Sequence, residues 1–317
     1  MKFEELASAW DEIGGDGSAM VARTLNLHGF GGGERNRDTL IVGRKRRMGS
    51  VLAGFVDETI ADELEREPRP RVLRVAMADE VAERGGAACG GWVEVIVHPA
   101  SWLPDVSEEL LNREPFCLIT AIGPDGPSEP VSVISRQRRV TSFAEETADQ
   151  LLIAGQVGVH RLEADGERFQ LHFFSPRPRA VVAGSGELAV ALMTQMELAG
   201  ISATLLGEGE LLTLGPLDGL VVLTHDHEAA TPILARMLAR GRVGYVGALG
   251  SRATQAERRI RLADLGVDPG PVFGPAGLDI GSRSSAETAL SIVAEMIAVT
   301  RGRAGGHLRD RRGPING

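Results

Sequence analysis

The stretch that most constrains the fold is Arg179-Ala-Val-Val-Ala-Gly-Ser-Gly-Glu-Leu-Ala-Val-Ala-Leu-Met193. A short apolar run, Ala180 to Ala183, stops at Gly184-Ser185-Gly186. An Ala/Leu-rich segment then continues to Gly200, with Leu188, Leu192, Met196 and Ala199 at helical spacing. This is the pattern of strand, tight turn and helix, with Gly200 as the helix stop. Ile201-Ser-Ala-Thr-Leu-Leu206 reads as a second strand, which completes a β-α-β unit. Gly184 and Gly186 occupy the first two glycine positions of a dinucleotide-type turn, and Ala189 the third. Glycine there lets backbone N–H groups approach a phosphate, beside a helix N-terminus that carries partial positive charge. Tight strand-to-helix turns also favour glycine without any ligand, so the turn alone leaves both readings open.

The rest of the C-terminal half repeats the alternation. Strands are predicted at Gly219–Thr224 and Val243–Val246, and helices over 228–240, 252–265 and 285–301. Ser284-Ser-Ala-Glu287 is a capping-box sequence at the start of the last helix. Strands alternating with helices build a parallel, doubly wound sheet, whose ligands bind outside the carboxyl ends of the strands. Four glycine-rich or polar segments fall there: Gly184-Ser-Gly186, Thr224-His-Asp-His227, Gly247-Ala-Leu-Gly-Ser-Arg252 and Gly274-Pro-Ala-Gly-Leu-Asp-Ile-Gly-Ser-Arg283. They are expected to share one site, with Gly184, Ser185, Gly186, Thr224, His225, Asp226, His227, Gly250, Ser251, Arg252 and Asp279 as its binding residues. His225 and His227 with Asp279 have the chemistry of metal ligands, but side chains two apart point opposite ways along a strand. No metal is therefore expected, and hydrogen bonding to a ligand or capping of the next helix is the preferred role. Arg252 and Arg283 either meet a phosphate with a planar fork or are exposed helix-start arginines. Glu208 is the acid spaced to hold a ribose, and no nicotinamide-side catalytic residue is evident.

In the N-terminal half, Phe3, Leu6, Trp10 and Ile13 have the spacing of a short amphipathic helix. Strands are predicted at Met20–Leu27, Thr39–Val42, Val72–Ala76 and Val93–Val97, with a helix carrying Leu52, Val56, Ile60 and Leu64 on one face. Gly85-Gly-Ala-Ala-Cys-Gly-Gly91 suggests backbone approaching something closely, or a tight bend with Cys89 as a small buried hydrophobe. From Phe116 to Phe174 the pattern is β-rich, with turns at Gly123-Pro-Asp-Gly126 and Ala164-Asp-Gly166. Ser175-Pro-Arg-Pro178 can continue neither a helix nor a central strand, which sets domains of 1–177 and 178–317. The expected class is α/β: a mixed α/β N-terminal domain and a C-terminal Rossmann-like doubly wound parallel sheet.

Composition narrows the function classes. A net charge of −9 argues against general nucleic-acid binding, and two cysteines exclude a disulfide framework. The N-terminus has no basic region followed by an apolar core, and no apolar run approaches the roughly 18 residues that span a bilayer. A cytoplasmic protein without membrane contact is expected.

The C-terminal segments, with Tyr245-Val-Gly-Ala-Leu-Gly-Ser-Arg252 and Ala286-Glu287 included, resemble the XdhC/CoxI family in order. Gly49-Ser50 and Ala88-Cys-Gly-Gly91 followed by Val93-Glu-Val extend that resemblance into the N-terminal half. It implies an accessory protein for molybdenum hydroxylases such as xanthine dehydrogenase or carbon monoxide dehydrogenase. Such a protein binds and protects molybdenum cofactor (molybdopterin or its dinucleotide form), assists its sulfuration and delivers it to the apo-enzyme. Implied partners are the apo-hydroxylase and a cysteine desulfurase, with a homodimer as the assembly. Cys89 is the implied catalytic thiol, with Gly90 and Gly91 binding beside it and facing the cleft. The family's Gly-Gly-Cys-Val-Glu run here reads Ala53-Gly-Phe55-Val-Asp57, and its Gly-Ala-Gly-His turn has Ser185 and Glu187 in the second and fourth places. These departures suggest a divergent branch, of the carbon monoxide dehydrogenase type. The competing class is an NAD(P)-dependent oxidoreductase or an enzyme acting on the cofactor's nucleotide.

Overall fold

The structure, a computed structural model, describes residues 2–15, 17–28, 39–44, 46–77, 91–124, 126–128, 132–134, 142–153, 155–164, 166–207, 214–224, 226–241 and 243–310. The chain forms two compact units, Met1–Leu111 with Pro115–Pro176, and Asn112–Glu114 with Arg177–Gly317.

In the first unit, helix α1 (Phe3–Gly15) precedes strands β1 (Met20–His28), β2 (Thr39–Val42) and β3 (Arg47–Ser50). Helix α2 (Asp57–Arg66), β4 (Arg71–Met77), β5 (Gly91–Pro99) and the short helix α3 (Ser107–Leu111) follow. Then come β6 (Phe116–Gly123), β7 (Gly126–Pro127), β8 (Ser132–Ile134), α4 (Phe143–Ile153), β9 (Gly158–Ala164) and β10 (Glu167–Phe174). They make two antiparallel sheets, one ordered β3-β2-β1-β5-β4 and one ordered β7-β6-β10-β9 with β8 also on β6. Period-two alternation dictates the layering. Met20 and Ala22 of β1 pack with Ile60 and Leu64 of α2, whereas Val21 joins Phe3, Leu6, Phe116 and Phe174 on the other face. Likewise Phe116 and Leu118 of β6 face that shared core, while Cys117 and Ile119 pack against Ala144 and Ala148 of α4.

Two expectations change here. The β-rich stretch from Phe116 to Phe174 contains α4, whose start is a reciprocal cap: Glu145 N–H donates to Ser142 Oγ and Ser142 N–H to Glu145 Oε2. That Ser-x-x-Glu signal outweighs the strand pattern on either side. Leu52, Val56, Ile60 and Leu64 are all buried, but the α-helix begins only at Asp57, after a 3₁₀ turn at Leu52–Gly54. Val51 N–H donates to Asp57 Oδ1 at 2.8 Å, which ties that turn to the helix start.

A polar layer lies within this unit's core. Arg23 of β1 is fully buried, its Nε donating to His98 Nε2 at 3.3 Å and an NH2 hydrogen to Thr120 Oγ1. Burial, then the neighbouring guanidinium, pull His98 down to about 3, and the same causes hold His172 well below the usual histidine range. Both imidazoles are therefore neutral at physiological pH.

The second unit is a single parallel sheet: β11 (Arg179–Ala183), α5 (Glu187–Leu198), β12 (Ser202–Leu205), β13 (Gly219–Val222), α6 (His227–Leu238), β14 (Tyr245–Ala248), α7 (Arg252–Asp264), β15 (Val272–Phe273) and α8 (Ser285–Thr300). The strands run in the order β12-β11-β13-β14-β15. Ala180, Val182 and Val221 pack with α5 and α8 through Leu192, Met196, Ile292 and Met296. Val181, Ala183, Leu220 and Val222 pack with α6 and α7 through Ala230, Leu234 and Leu262. Helices thus cover both faces, and the expected α/β class with a doubly wound parallel sheet is what the chain adopts.

β14 begins two residues later than the sequence suggests, so Gly247 and Ala248 lie inside it. Gly244 is held in the preceding turn, its N–H shared by the carbonyls of Gly215 and Asp218 at 3.2 and 3.1 Å. β15, only two residues long, carries no strand signal in the sequence. At the amino-terminal side of β13, the buried Asp218 carboxylate accepts from Arg179 N–H at 2.8 Å, Gly215 N–H at 2.9 Å and Arg113 Nε at 3.1 Å. Arg113 also donates to the Arg177 carbonyl, and these bonds fasten Asn112–Glu114 into the second unit.

Candidate functional site

The strand order places a topological switch point between β11 and β13, because the chain leaves β11 toward β12 and returns on the other side to β13. The loops following β11, β13, β14 and β15 all emerge at the same, carboxyl edge. They are physically connected. Leu223 N–H donates to Ala183 O at 2.9 Å, Leu249 N–H to Val222 O at 2.9 Å and Ala276 N–H to Ala248 O at 3.1 Å.

The turn after β11 is built on two glycines in left-handed backbone, Gly184 at φ 141 and Gly186 at φ 94. They do different jobs. A Cβ at Gly184 would lie 2.8 Å from Leu223 Cβ, so this glycine lets the ends of β11 and β13 meet. A Cβ at Gly186 would meet no protein atom within 4 Å. Gly186 is the N-cap of α5 and offers no side chain to the first-turn N–H groups. The result is an exposed turn leading into a helix N-terminus that carries no side-chain cap. Ser185 and Glu187 flank Gly186, both exposed, and Glu187 adds negative charge in the first turn of α5. Ala189, at the third glycine position, is buried against the sheet.

The other rim helices are capped by side chains. Asp226 Oδ1 accepts from Glu228 N–H at 2.9 Å, and its own N–H donates to Thr224 Oγ1 at 3.1 Å. Ser251 Oγ accepts from Thr254 N–H at 3.2 Å. Helix capping, expected of the histidines, thus falls to Asp226. His227 is the first residue of α6, with Nε2 3.4 Å from Glu257 Oε2. Gly250 lies at the turn into α7, and Arg252, at its first position, is exposed.

Asp279 is exposed on the long loop before α8. Glu287 completes the capping box there, accepting from Arg283 N–H at 2.6 Å and Ser284 N–H at 3.0 Å. These bonds, from Arg283 first, hold the Glu287 carboxyl below the usual range. The loop is anchored from beneath by a residue that no motif singles out. Glu295 Oε2 accepts from Gly277 N–H at 2.8 Å and from the buried Tyr245 hydroxyl at 2.6 Å. Burial and then Glu295 push that hydroxyl far above the usual tyrosine range, so it stays a donor. Glu295 sits in the last turns of a capped amphipathic helix, where a carboxylate carries no signal of an inward role.

Gly91 is the first residue of β5, opposite Met77. Cys89, Gly90, His225 and Glu208 lie outside the described residues. The remaining thiol, Cys117, is buried and unpaired in a disulfide, and burial pushes its pKa up, so it is no thiolate nucleophile. Among the described residues no group of three His, Cys, Asp or Glu side chains is placed to hold a metal ion. No helix among them is long and apolar enough to cross a membrane.

An open parallel sheet with helices on both faces, a glycine turn and a switch point defines the second unit as a doubly wound, Rossmann-like domain. More particularly, residues 180–296 match the XdhC Rossmann domain family. This unit is an XdhC-type Rossmann domain, and the XdhC resemblance read from the motifs is borne out. Along most of its length the chain is similar to a Bacillus subtilis (strain 168) protein named as a probable xanthine dehydrogenase component. The two are 23% identical, over 88% of this chain and 92% of the relative. A crystal structure of a xanthine dehydrogenase (BH1974) from Bacillus halodurans aligns over 96% of this chain and 97% of its own, at 18% identity and a TM-score of 0.46.

Proposed function

We propose that this protein is an accessory factor for a molybdenum hydroxylase of the xanthine dehydrogenase type, and that its rim receives the phosphate or nucleotide portion of the molybdenum cofactor. The observation that carries the reading is the open turn at Gly186. Open space, left-handed backbone and uncapped amides of α5 coincide there with the switch point of an XdhC-type domain. Those features fit a phosphate. The amides of the first turn of α5 would hold it, and Arg252, exposed at the start of α7 on the same carboxyl edge of the sheet, is a guanidinium of the kind that recognises such oxygens. The exposed Glu187 in the same turn opposes an anion.

The cofactor, when bound, supplies molybdenum and its pterin dithiolene, and the chain's part is to bind, orient and shelter it. The name of the Bacillus subtilis relative favours a xanthine dehydrogenase over a carbon monoxide dehydrogenase as the client. Sulfuration is assigned to Cys89, with a cysteine desulfurase as sulfur donor, a homodimer as the working assembly and the cytoplasm as its place. These belong to the same proposal.

Mass spectrometry of small molecules released from the protein, expressed in a host that makes molybdenum cofactor, tests the reading. The expected result is a pterin in native protein and its loss in Gly186→Val. Native protein devoid of pterin that steadily turns over NAD(P) would replace this reading with that of an oxidoreductase.

A further inference from the structure

We propose that Arg258 is the buried counter-charge of the rim: it positions the loops after β13 and β14 and supplies positive charge that an anionic ligand offsets. The inference rests on the rim being an anion site. Arg258 lies on α7, three residues after Gln255, so both project to the same inner side of the helix, where both are buried. Its NH1 donates to Leu249 O at 3.0 Å and to Gln255 Oε1 at 2.7 Å, and its NH2 to Thr224 O at 3.4 Å. Gln255 Nε2 in turn donates to Ala248 O at 3.0 Å and Gly250 O at 3.4 Å. One guanidinium and one amide therefore gather four carbonyls from two rim loops.

Three observations separate this from an ordinary structural arginine. Arg258 is 1% exposed, yet no carboxylate pairs with it among the described residues, and its Nε has no hydrogen-bond partner. Arg261, one turn on and facing solvent, shows the contrast: it holds Glu228 at 2.7 Å and Glu257 at 3.0 Å. A buried cation without a carboxylate is costly to the ligand-free protein, and a chain that keeps one has a charge left to be neutralised. Peptide geometry adds the third point. The C=O of Leu249 is drawn toward Arg258, and in a trans peptide the following N–H points the opposite way. The Gly250 N–H is thus turned from the guanidinium, and it finds no acceptor among the described residues. The buried cation aligns a backbone donor and acts through it, as a positioning residue.

The test uses the full-length protein with inorganic pyrophosphate, and adenosine as an uncharged control, measured by calorimetry. Arg258→Met removes the charge at similar volume, and Arg258→Lys keeps the charge without the fork. The expected result is a roughly ten- to hundred-fold loss of pyrophosphate affinity in Arg258→Met. Arg258→Lys should retain the larger part of that affinity, and the weak binding of adenosine should not change. The urea midpoint of ligand-free Arg258→Met should fall, because Leu249 O, Thr224 O and Gln255 Oε1 each lose a donor, so the contrast between the two probes carries the test. A merely structural role predicts equal losses for pyrophosphate and adenosine. Native affinity for pyrophosphate in Arg258→Met overturns the inference and leaves the anion site standing. If the native protein itself does not bind pyrophosphate, the anion-site reading fails and takes this one with it.

Discussion

Replacing Tyr245 by phenylalanine removes one oxygen from the interior of the second unit and should loosen, through Glu295, the loop that holds Gly277. The hydroxyl donates to the Glu295 carboxylate at 2.6 Å, and that same oxygen accepts the Gly277 N–H at 2.8 Å. A hydrogen bond to a charged acceptor contributes about 1.5–3 kcal/mol. The ring itself, stacked on Phe273 at 5.2 Å between centroids, is retained by phenylalanine, so little apolar packing is lost. The expected loss is therefore about 2 kcal/mol, which for a unit of this size lowers the melting midpoint by about 4–8 °C. Glu295 keeps a single donor, Gly277, and the bond between them should open more often. Tryptophan fluorescence reports the first unit alone, because Trp10, Trp92 and Trp102 all lie there. Unfolding of the second unit must be followed by far-ultraviolet circular dichroism. Hydrogen exchange at Gly277 reads the loop directly and should quicken roughly ten-fold or more. A variant that unfolds at the native midpoint and exchanges Gly277 at the native rate would refute the claim that this hydroxyl anchors the loop.

Acid should destabilise the first unit. His98 sits at about 3 and His172 well below its usual value in the folded state, so each gains a proton on unfolding once the pH falls below about 6.5. Stability is complete above that pH and declines as pH falls, by about 2 kcal/mol for His98 alone between pH 6.5 and 5. Urea melts read by tryptophan fluorescence should show that slope, and it should shrink in His98→Gln. Gly184→Ala should cost about 2–5 kcal/mol, because its Cβ meets Leu223 and its backbone is strained, whereas Gly186→Ala meets no atom and should cost only the strain of its backbone, about 1–2 kcal/mol. Equal losses in the two melts would mean that Gly184 is not the packing glycine. Asp218→Ala strands Arg113 and two backbone donors, and should destabilise the second unit by about 3–5 kcal/mol in the same circular-dichroism assay.

Much of this architecture is legible along the chain. Strand β11, its turn and helix α5 announce themselves through Ala180–Ala183, two glycines and a helical stripe ended by Gly200. Gly200 takes φ 78 there, with Ile201 N–H closing the end on Met196 O. The Ser284–Glu287 capping box is likewise a local contract between a hydroxyl and a carboxylate three residues apart. Such features depend on periodicity and short-range hydrogen bonds, so the order of residues suffices to specify them. From the resulting alternation of strand and helix follow the parallel sheet and the edge on which its loops collect.

What only tertiary structure decided are the partnerships between residues far apart in sequence. Nothing near Glu295 marks it as the acceptor for Tyr245 and Gly277, fifty and eighteen residues away. Arg258 looks like one more charge on a polar, arginine-rich helix, and only burial separates it from Arg261, whose partners are carboxylates. Gly184 and Gly186 read alike as turn glycines. Their difference depends on whether Leu223, brought alongside by a neighbouring strand, occupies the space where a side chain would go. Local rules specify the elements, because they act within a few residues. Which polar groups find partners in the interior is settled by close packing, which joins distant segments and leaves no trace in the spacing of any one of them.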